Sequence, residues 1–153
     1  MTVSIQRVTD KDAAAVSAVI AEVRGDPDPV GLDELSPAEV SSWIARQGEF
    51  GALFIMDDDG EVIGFASVDF DSSRANECSI GAWIRPVHRR KGYASALTEE
   101  TITFARDRGY SRVRGRLPEG NEAALSFLST IGALVPILNP GAQYELPIHE
   151  VRQ

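Results

Sequence analysis

The segment from Trp83 to Ser95 constrains the fold of this chain more than any other stretch. An apolar, strand-like run stops at Pro86, which has no N–H to donate to a β-ladder. A loop dense in positive charge follows, and a helical pattern of apolar residues begins near Ala94. The segment therefore predicts a helix N-terminus that opens beside the end of a strand.

Strand and helix patterns continue on both sides of this segment. The predicted strands are 3–8, 52–56, 61–70, 77–85, 112–117, 134–138 and 143–148. The predicted helices follow Thr9 and Ser36 and span 94–108 and 121–130. The resulting order, β-α-α-β-β-β-α-β-α-β-β, predicts an α/β (mixed α+β) fold with a central mixed, mostly antiparallel sheet of about seven strands and helices on both faces.

Local signals support several of these boundaries. Ser36-Pro37-Ala38-Glu39 combines an N-cap, a proline in the first turn and a capping glutamate, so a helix should begin there. The turn sequence 57–60, Asp-Asp-Asp-Gly, lies between two β-rich runs and predicts a hairpin.

The length and composition indicate one compact unit. At 153 residues and 16.6 kDa we expect a single domain over residues 1–153. The lone Cys78 has no partner for an internal disulfide, which suits a reducing compartment and predicts a cytoplasmic protein. We see no export signal and no run of about 18 apolar residues, so no membrane association is expected.

Charge divides the chain into two unlike halves. Residues 1–77 hold 16 acidic and 5 basic residues, residues 78–153 hold 7 acidic and 10 basic ones, and the net charge is −8. Such a chain is poorly suited to nucleic acid, which is not an expected partner. The basic half favours a phosphorylated ligand and the acidic half a cationic amine, although segregation of solvated charge explains the acidic half equally well.

The basic loop has the features of an anion-binding site. The first four N–H groups of a helix lack intrahelical partners, and the aligned peptide dipoles place about half a positive charge there. Arg89, Arg90 and Lys91 stand directly before the helix. Gly92 and Ala94 let phosphate oxygens approach the backbone because neither has a large side chain. The segment predicts a pyrophosphate site, and a solvated loop is the alternative.

At these residues the sequence resembles the GNAT superfamily of N-acetyltransferases. The acetyl-CoA loop of that family is written Q/R-x-x-G-x-G/A and is matched by Arg-Arg-Lys-Gly-Tyr-Ala at residues 89–94. Two further family motifs are matched at their usual spacing: Ile84-x-Pro86, and Asn121-x-x-Ala124-x-x-Phe127 followed by Gly132. The predicted element order also agrees, so the resemblance covers nearly the whole chain.

The resemblance implies an enzyme that transfers an acetyl group from acetyl-CoA, a dissociable cosubstrate, to a primary amine of a small molecule or peptide. It implies that the main chain at Trp83 and Ile84 pairs with the pantetheine arm in a cleft between splayed strands. It implies that Asn121 contacts the pantetheine or acetyl end, although helix capping explains Asn121 equally well. The pyrophosphate would be held by Arg89, Arg90, Lys91, Gly92, Tyr93, Ala94 and Ser95. Family members are often dimers, so a homodimer is among the expectations.

The groups that would move protons are less well defined. An alkyl amine has a pKa of about 10.4 and must lose a proton before it attacks a thioester. Glu77 is the candidate base, but related histone acetyltransferases place a glutamate where Cys78 stands, and a shift of one residue reverses the strand face unless a bulge restores it. Leu128 occupies the position of a frequent family tyrosine that serves as general acid. Water, Tyr144 or no dedicated group is left for that role.

The sequence also bears on two other functional classes. The same fold could be a non-catalytic acyl-CoA-binding or sensor module, because neither the base nor the acid is defined. A P-loop or Rossmann enzyme would need G-x-x-x-x-G-K-[ST] or G-x-G-x-x-G, and neither motif occurs. Two distant histidines, His88 and His149, do not make a metal site, so no metal is expected. Cys78 is interpreted as a small buried hydrophobe.

Overall fold

The computed structural model describes residues 3–25, 33–70, 77–89, 91–110, 112–116 and 143–147. Within these ranges the chain forms six strands and three α-helices. The strands are β1 (Val3–Arg7), β2 (Ala52–Asp58), β3 (Glu61–Phe70), β4 (Glu77–Ile84), β5 (Arg112–Arg116) and β6 (Gln143–Pro147). The helices are α1 (Ala13–Arg24), α2 (Pro37–Gln47) and α3 (Tyr93–Asp107). The helix predicted at 121–130 and the strand predicted at 134–138 lie outside the described residues.

The described strands form one mixed sheet. They follow one another in chain order from β1 to β6. Every neighbouring pair is antiparallel except β4 and β5, which are parallel. The predicted mixed, mostly antiparallel sheet is therefore confirmed for the described part of the chain, and the seventh predicted strand falls in the part that is not described.

Helices cover both faces of this sheet, as predicted. One core, which includes Phe54, Ile80 and Leu97, joins the sheet to α3. The other core, which includes Trp43 and Phe65, joins the opposite face to α1 and α2. Both cores draw on the strands because alternate side chains along a strand point to opposite faces.

Two boundaries that local signals predict are found in the structure: the start of α2 and the turn between β2 and β3. Ser36 Oγ accepts a hydrogen bond from the N–H of Glu39, the Glu39 carboxylate accepts one from the N–H of Ser36, and Pro37 is the first residue of α2. Asp59 and Gly60 join β2 to β3 with φ of 53° and 95°, which is the left-handed geometry of a tight two-residue hairpin turn.

Candidate active site

The sheet opens between β4 and β5. The two strands pair only over three residues of each, from Glu77 opposite Arg112 to Ser79 opposite Arg114. Beyond Ser79, β3 continues to pair with β4 as far as Ile84, and β5 continues to pair with β6 as far as Arg116. Among the described residues, the edge of β4 that faces β5 therefore has no strand partner at Ala82 and Ile84.

Alternation along the β3–β4 ladder decides which main-chain groups face this opening. The N–H of Arg85 donates to the carbonyl of Ile63 at 2.9 Å. Because bonded and non-bonded pairs alternate in an antiparallel ladder, Trp83 exchanges its hydrogen bonds with Phe65 of β3. Ala82 and Ile84 direct their N–H and C=O groups toward the opening.

This geometry revises one sequence-based expectation. The main chain of Ile84 faces the opening, whereas the main chain of Trp83 is turned toward β3, and Ala82 faces the opening in its place. The sequence alone does not reveal the difference, because either residue fits a strand and only the pairing with β3 fixes the direction of the N–H groups. The Ile84 carbonyl accepts a hydrogen bond from Nε of Arg89 at 3.1 Å, so the loop folds back onto the mouth of the opening.

Helix α3 begins next to this opening without a capping side chain. Its N-cap is Gly92, with φ of 83° and ψ of 4°, a left-handed conformation that favours glycine. The first intrahelical bond runs from the N–H of Ala96 to the carbonyl of Gly92 at 3.2 Å. The main-chain N–H groups of the preceding turn, from Tyr93 to Ser95, therefore point out of the helix end. Lys91 is exposed beside them.

The candidate base lies on the α1/α2 face of β4. Cys78 and Ile84 pack in the α3 core and Trp83 packs on the α1/α2 core, so Glu77 shares the face of Trp83. From Cys78 to Ile84, β4 pairs with β3 without a register shift. No bulge in that stretch would restore the family position of the glutamate.

Trp83 forms an aromatic surface on that same face. Its indole stacks on the Phe65 ring at a centroid distance of 4.9 Å, and Phe65 meets Trp43 of α2 edge to face at 6.2 Å. The indole also lies over Gly81, because a Cβ at that glycine would be 2.3 Å from Cη2 of Trp83. The side of the opening that faces α1 and α2 is thus lined by a half-buried aromatic ring.

Several predicted site residues have no described side chain. Arg90, Asn121 and Leu128 lie outside the described residues, and Ser95 is described only as part of α3. Tyr144 lies on β6 opposite Gly115, one strand away from the opening. His88 is not a solvated loop residue, because its Nε2 is 2.8 Å from Oε2 of Glu61.

Within the described ranges, no three histidine, cysteine, aspartate or glutamate side chains come close enough together to hold a metal ion. No helix in the same ranges combines the length and the apolar character that crossing a bilayer requires.

The parallel strand pair that splays apart, followed by a basic loop and an uncapped helix, defines the acyl-CoA N-acyltransferase class of fold. A model of the family described as "Acetyltransferase (GNAT) domain" matches residues 3–134. The chain therefore belongs to the GNAT acetyltransferase family. No curated protein matches the sequence.

Solved structures share the same fold at low sequence identity. One is yncA, a putative acetyltransferase from Salmonella typhimurium with its cofactor acetyl-CoA: the TM-score is 0.82, the identity 18%, and the match covers 100% of this chain and 98% of that one. An acetyltransferase of the GNAT family from Streptococcus pneumoniae matches with a TM-score of 0.82, 19% identity and coverage of 96% and 100%. A phosphinothricin acetyltransferase from Sinorhizobium meliloti in complex with acetyl-CoA matches with a TM-score of 0.80, 16% identity and coverage of 97% and 90%.

Proposed function

We propose that this chain transfers the acetyl group of acetyl-CoA to a primary amine of a small molecule or peptide. The observation that carries the proposal is the open edge of β4 at Ala82 and Ile84, which leads directly to the uncapped start of α3. Two of the structures with the same fold contain acetyl-CoA, which supports this cosubstrate.

The two parts of the site suit the two parts of coenzyme A. The C=O of Ala82 and the N–H of Ile84 would pair with the amides of the pantetheine arm as an added strand does. The coenzyme A loop, residues 86–92, and the first turn of α3 would hold the diphosphate through main-chain donors and the charges of Arg89 and Lys91. Arg90 and Asn121 remain predicted contacts.

The chemistry then needs little from the protein beyond placement. The amine attacks the thioester carbonyl directly, the carbon–sulfur bond breaks as the amide bond forms, and coenzyme A leaves as a thiolate that takes a proton from water. We infer that the N–H of Ala82 stabilises the negative charge that develops on the carbonyl oxygen, a type of donor whose loss typically costs about 3 kcal/mol. The amine would approach from the α1/α2 face, past Trp83, and the 16 acidic residues of the first half of the chain favour a cationic acceptor.

Removal of the amine proton is assigned to Glu77 acting through water. Glu77 and Ala82 are five residues apart along β4, a distance of about 16 Å at the usual rise of a strand. A glutamate side chain does not span that distance, so a direct transfer from an amine at Ala82 is excluded. A chain of water molecules along the α1/α2 face would carry the proton.

Two matched glycines that flank α3 allow the proposal to be tested by measuring the binding of coenzyme A. Gly92 and Gly109 both have a left-handed φ, of 83° and 90°, and a Cβ on either one would meet open space. Gly92→Val and Gly109→Val therefore impose a similar backbone strain at opposite ends of the helix. We expect only Gly92→Val to weaken coenzyme A binding in calorimetry, by about tenfold or more, a change of about 1.4 kcal/mol.

The same pair of variants defines the contrary results. If wild type and Gly92→Val bind coenzyme A equally well, and circular dichroism shows that both variants are folded, the start of α3 is not part of the coenzyme A site. Release of free thiol from acetyl-CoA in the presence of a panel of amines then distinguishes an enzyme from a binding or sensor module, because a module binds coenzyme A but releases no thiol.

A further inference from the structure

Arg85 anchors the end of β4, immediately before the coenzyme A loop, by three contacts to β3 and α1. Its N–H donates to the carbonyl of Ile63 at 2.9 Å, and its Nη1 donates to the carbonyl of Val62 at 3.0 Å. Its Nε donates to Oε2 of Glu22 on α1 at 2.5 Å. The guanidinium is thus fixed against α1 and the start of β3 immediately before the loop begins.

Glu61 lies between Arg85 and the loop. Its Oε2 atom is 3.6 Å from Nη1 of Arg85 and 2.8 Å from Nε2 of His88. A carboxylate accepts hydrogen bonds, so Nε2 of His88 is the donor in this contact. The Glu61 side chain is 59% exposed and that of His88 is 16% exposed, so a surface carboxylate holds a packed imidazole in place.

His88 in turn contacts the far end of the loop. It closes the 3-10 turn Pro86–His88, and its ring meets the ring of Tyr93 edge to face with the centroids 6.4 Å apart. Tyr93 is the first residue of α3. A fixed His88 therefore sets the spacing between the end of β4 and the start of α3.

We propose that Glu61 is a positioning residue of the coenzyme A site, which holds Arg85 and His88 so that the loop keeps the shape that a diphosphate requires. This inference rests on the proposed function. Charge alone acts in the opposite direction, because a carboxylate near the loop repels a diphosphate. Removing the charge of Glu61 tightens coenzyme A binding if only charge matters and weakens it if positioning matters.

The experiment compares the dissociation constants of coenzyme A for wild type, Glu61→Gln and Glu99→Gln. Glu99 is an exposed glutamate of α3, so its variant removes the same charge from the helix instead of from the support of the loop. We expect Glu61→Gln to raise the dissociation constant about threefold to fivefold, the size typical of a lost exposed ion pair. Glu99→Gln should leave it unchanged or lower it. Pantetheine, which lacks the diphosphate, should bind Glu61→Gln as it binds wild type.

A double variant separates positioning from an independent contact. If Glu61 acts through His88, Glu61→Gln combined with His88→Gln binds coenzyme A no more weakly than the weaker single variant. The inference about Glu61 is overturned if folded Glu61→Gln has an unchanged or lower dissociation constant for coenzyme A. It is also overturned if the losses of affinity add in the double variant. Neither result touches the proposed function. A wild-type chain that does not bind coenzyme A overturns the proposed function and the inference together.

Discussion

At the scale of single residues, Cys78 and Glu77 are neighbours on β4 that face opposite sides of the sheet. Cys78 is 1% exposed in the α3 core. Burial first, and the negative charge of Asp69 second, raise the pKa of its thiol from 9.0 to about 12. A thiol that stays neutral is a poor nucleophile, so Cys78 has no part in the acyl transfer that we propose.

We predict that Cys78 resists alkylation in the folded protein. Iodoacetamide at about pH 8 should leave native protein unmodified and label the denatured chain fully, as read by mass spectrometry, because only the unfolded thiol ionises readily near its ordinary pKa. The raised pKa also predicts that stability decreases as pH rises past 9.0, where the unfolded thiol loses its proton and the folded thiol keeps it. Alkylation of native protein at the rate of a small free thiol would contradict the assignment.

We predict a modest effect for Glu77→Gln. A carboxylate that acts through water contributes less than the ~10²–10⁴ of a directly placed base, so kcat should fall by about tenfold or less. The control is Glu49→Gln, which removes an exposed glutamate that follows α2 and should leave kcat unchanged. A loss of about a thousandfold in Glu77→Gln would place the carboxylate beside the amine and contradict the route through water.

At the scale of elements, α2 shows how completely a local signal can determine a boundary. Every part of the signal 36–39 is used, since Ser36 and Glu39 exchange hydrogen bonds and Pro37 opens the helix. The hydrogen bonds from Ser36 lower the pKa of Glu39. Stability from this contact is therefore present above the ordinary pKa of a glutamate and is lost as pH falls through the lowered value.

We predict that Ser36→Ala lowers the free energy of unfolding by about 1 kcal/mol, the usual cost of losing an N-cap. Ser42→Ala, at an exposed position within α2, is the matched control and should be neutral or slightly stabilising because alanine favours helices. Urea unfolding followed by circular dichroism measures both. Equal effects of the two variants would mean that the cap does not stabilise α2.

Strand β4 has bounds that the sequence predicts and strand pairing that the sequence does not predict. The sequence predicts this strand at 77–85 and the structure has it at Glu77–Ile84, because composition and Pro86 define its bounds locally. The separation from β5 after Ser79 depends on a partner strand more than 30 residues away, which no local pattern encodes. Which of Trp83 and Ala82 turns its main chain to the opening depends instead on the register of β4 with β3, which composition does not encode either.

At the scale of the whole molecule, long-range contacts support the site that local motifs predict. The loop motif at 89–94 is visible in the sequence. The contact between Glu61 and His88 that we propose supports the loop joins residues 27 positions apart. Glu22 and Arg85 are 63 positions apart. Such ion pairs have no sequence signature, since any of the 23 acidic residues could have been the partner.

We predict that the uneven charge of the chain makes coenzyme A binding sensitive to salt. The dissociation constant of coenzyme A should rise as salt increases from about 0.01 to 0.15 M, because the Debye length shortens from about 30 to 8 Å and screens the basic loop from the diphosphate. Pantetheine binding should change little over the same range. Equal salt dependence for the two ligands would contradict a role for the charges of the loop.

The gap beside Ala82 and Ile84 also makes resistance to unfolding depend on supply of the acyl donor. Because β4 and β5 pair over only three residues of each, the sheet has a seam along which its two parts can separate, and a pantetheine arm bound as we propose would cover that seam along β4. Ligand that binds only folded protein stabilises it in proportion to the logarithm of its concentration. A protease should therefore digest the purified protein more slowly as the concentration of acetyl-CoA is raised.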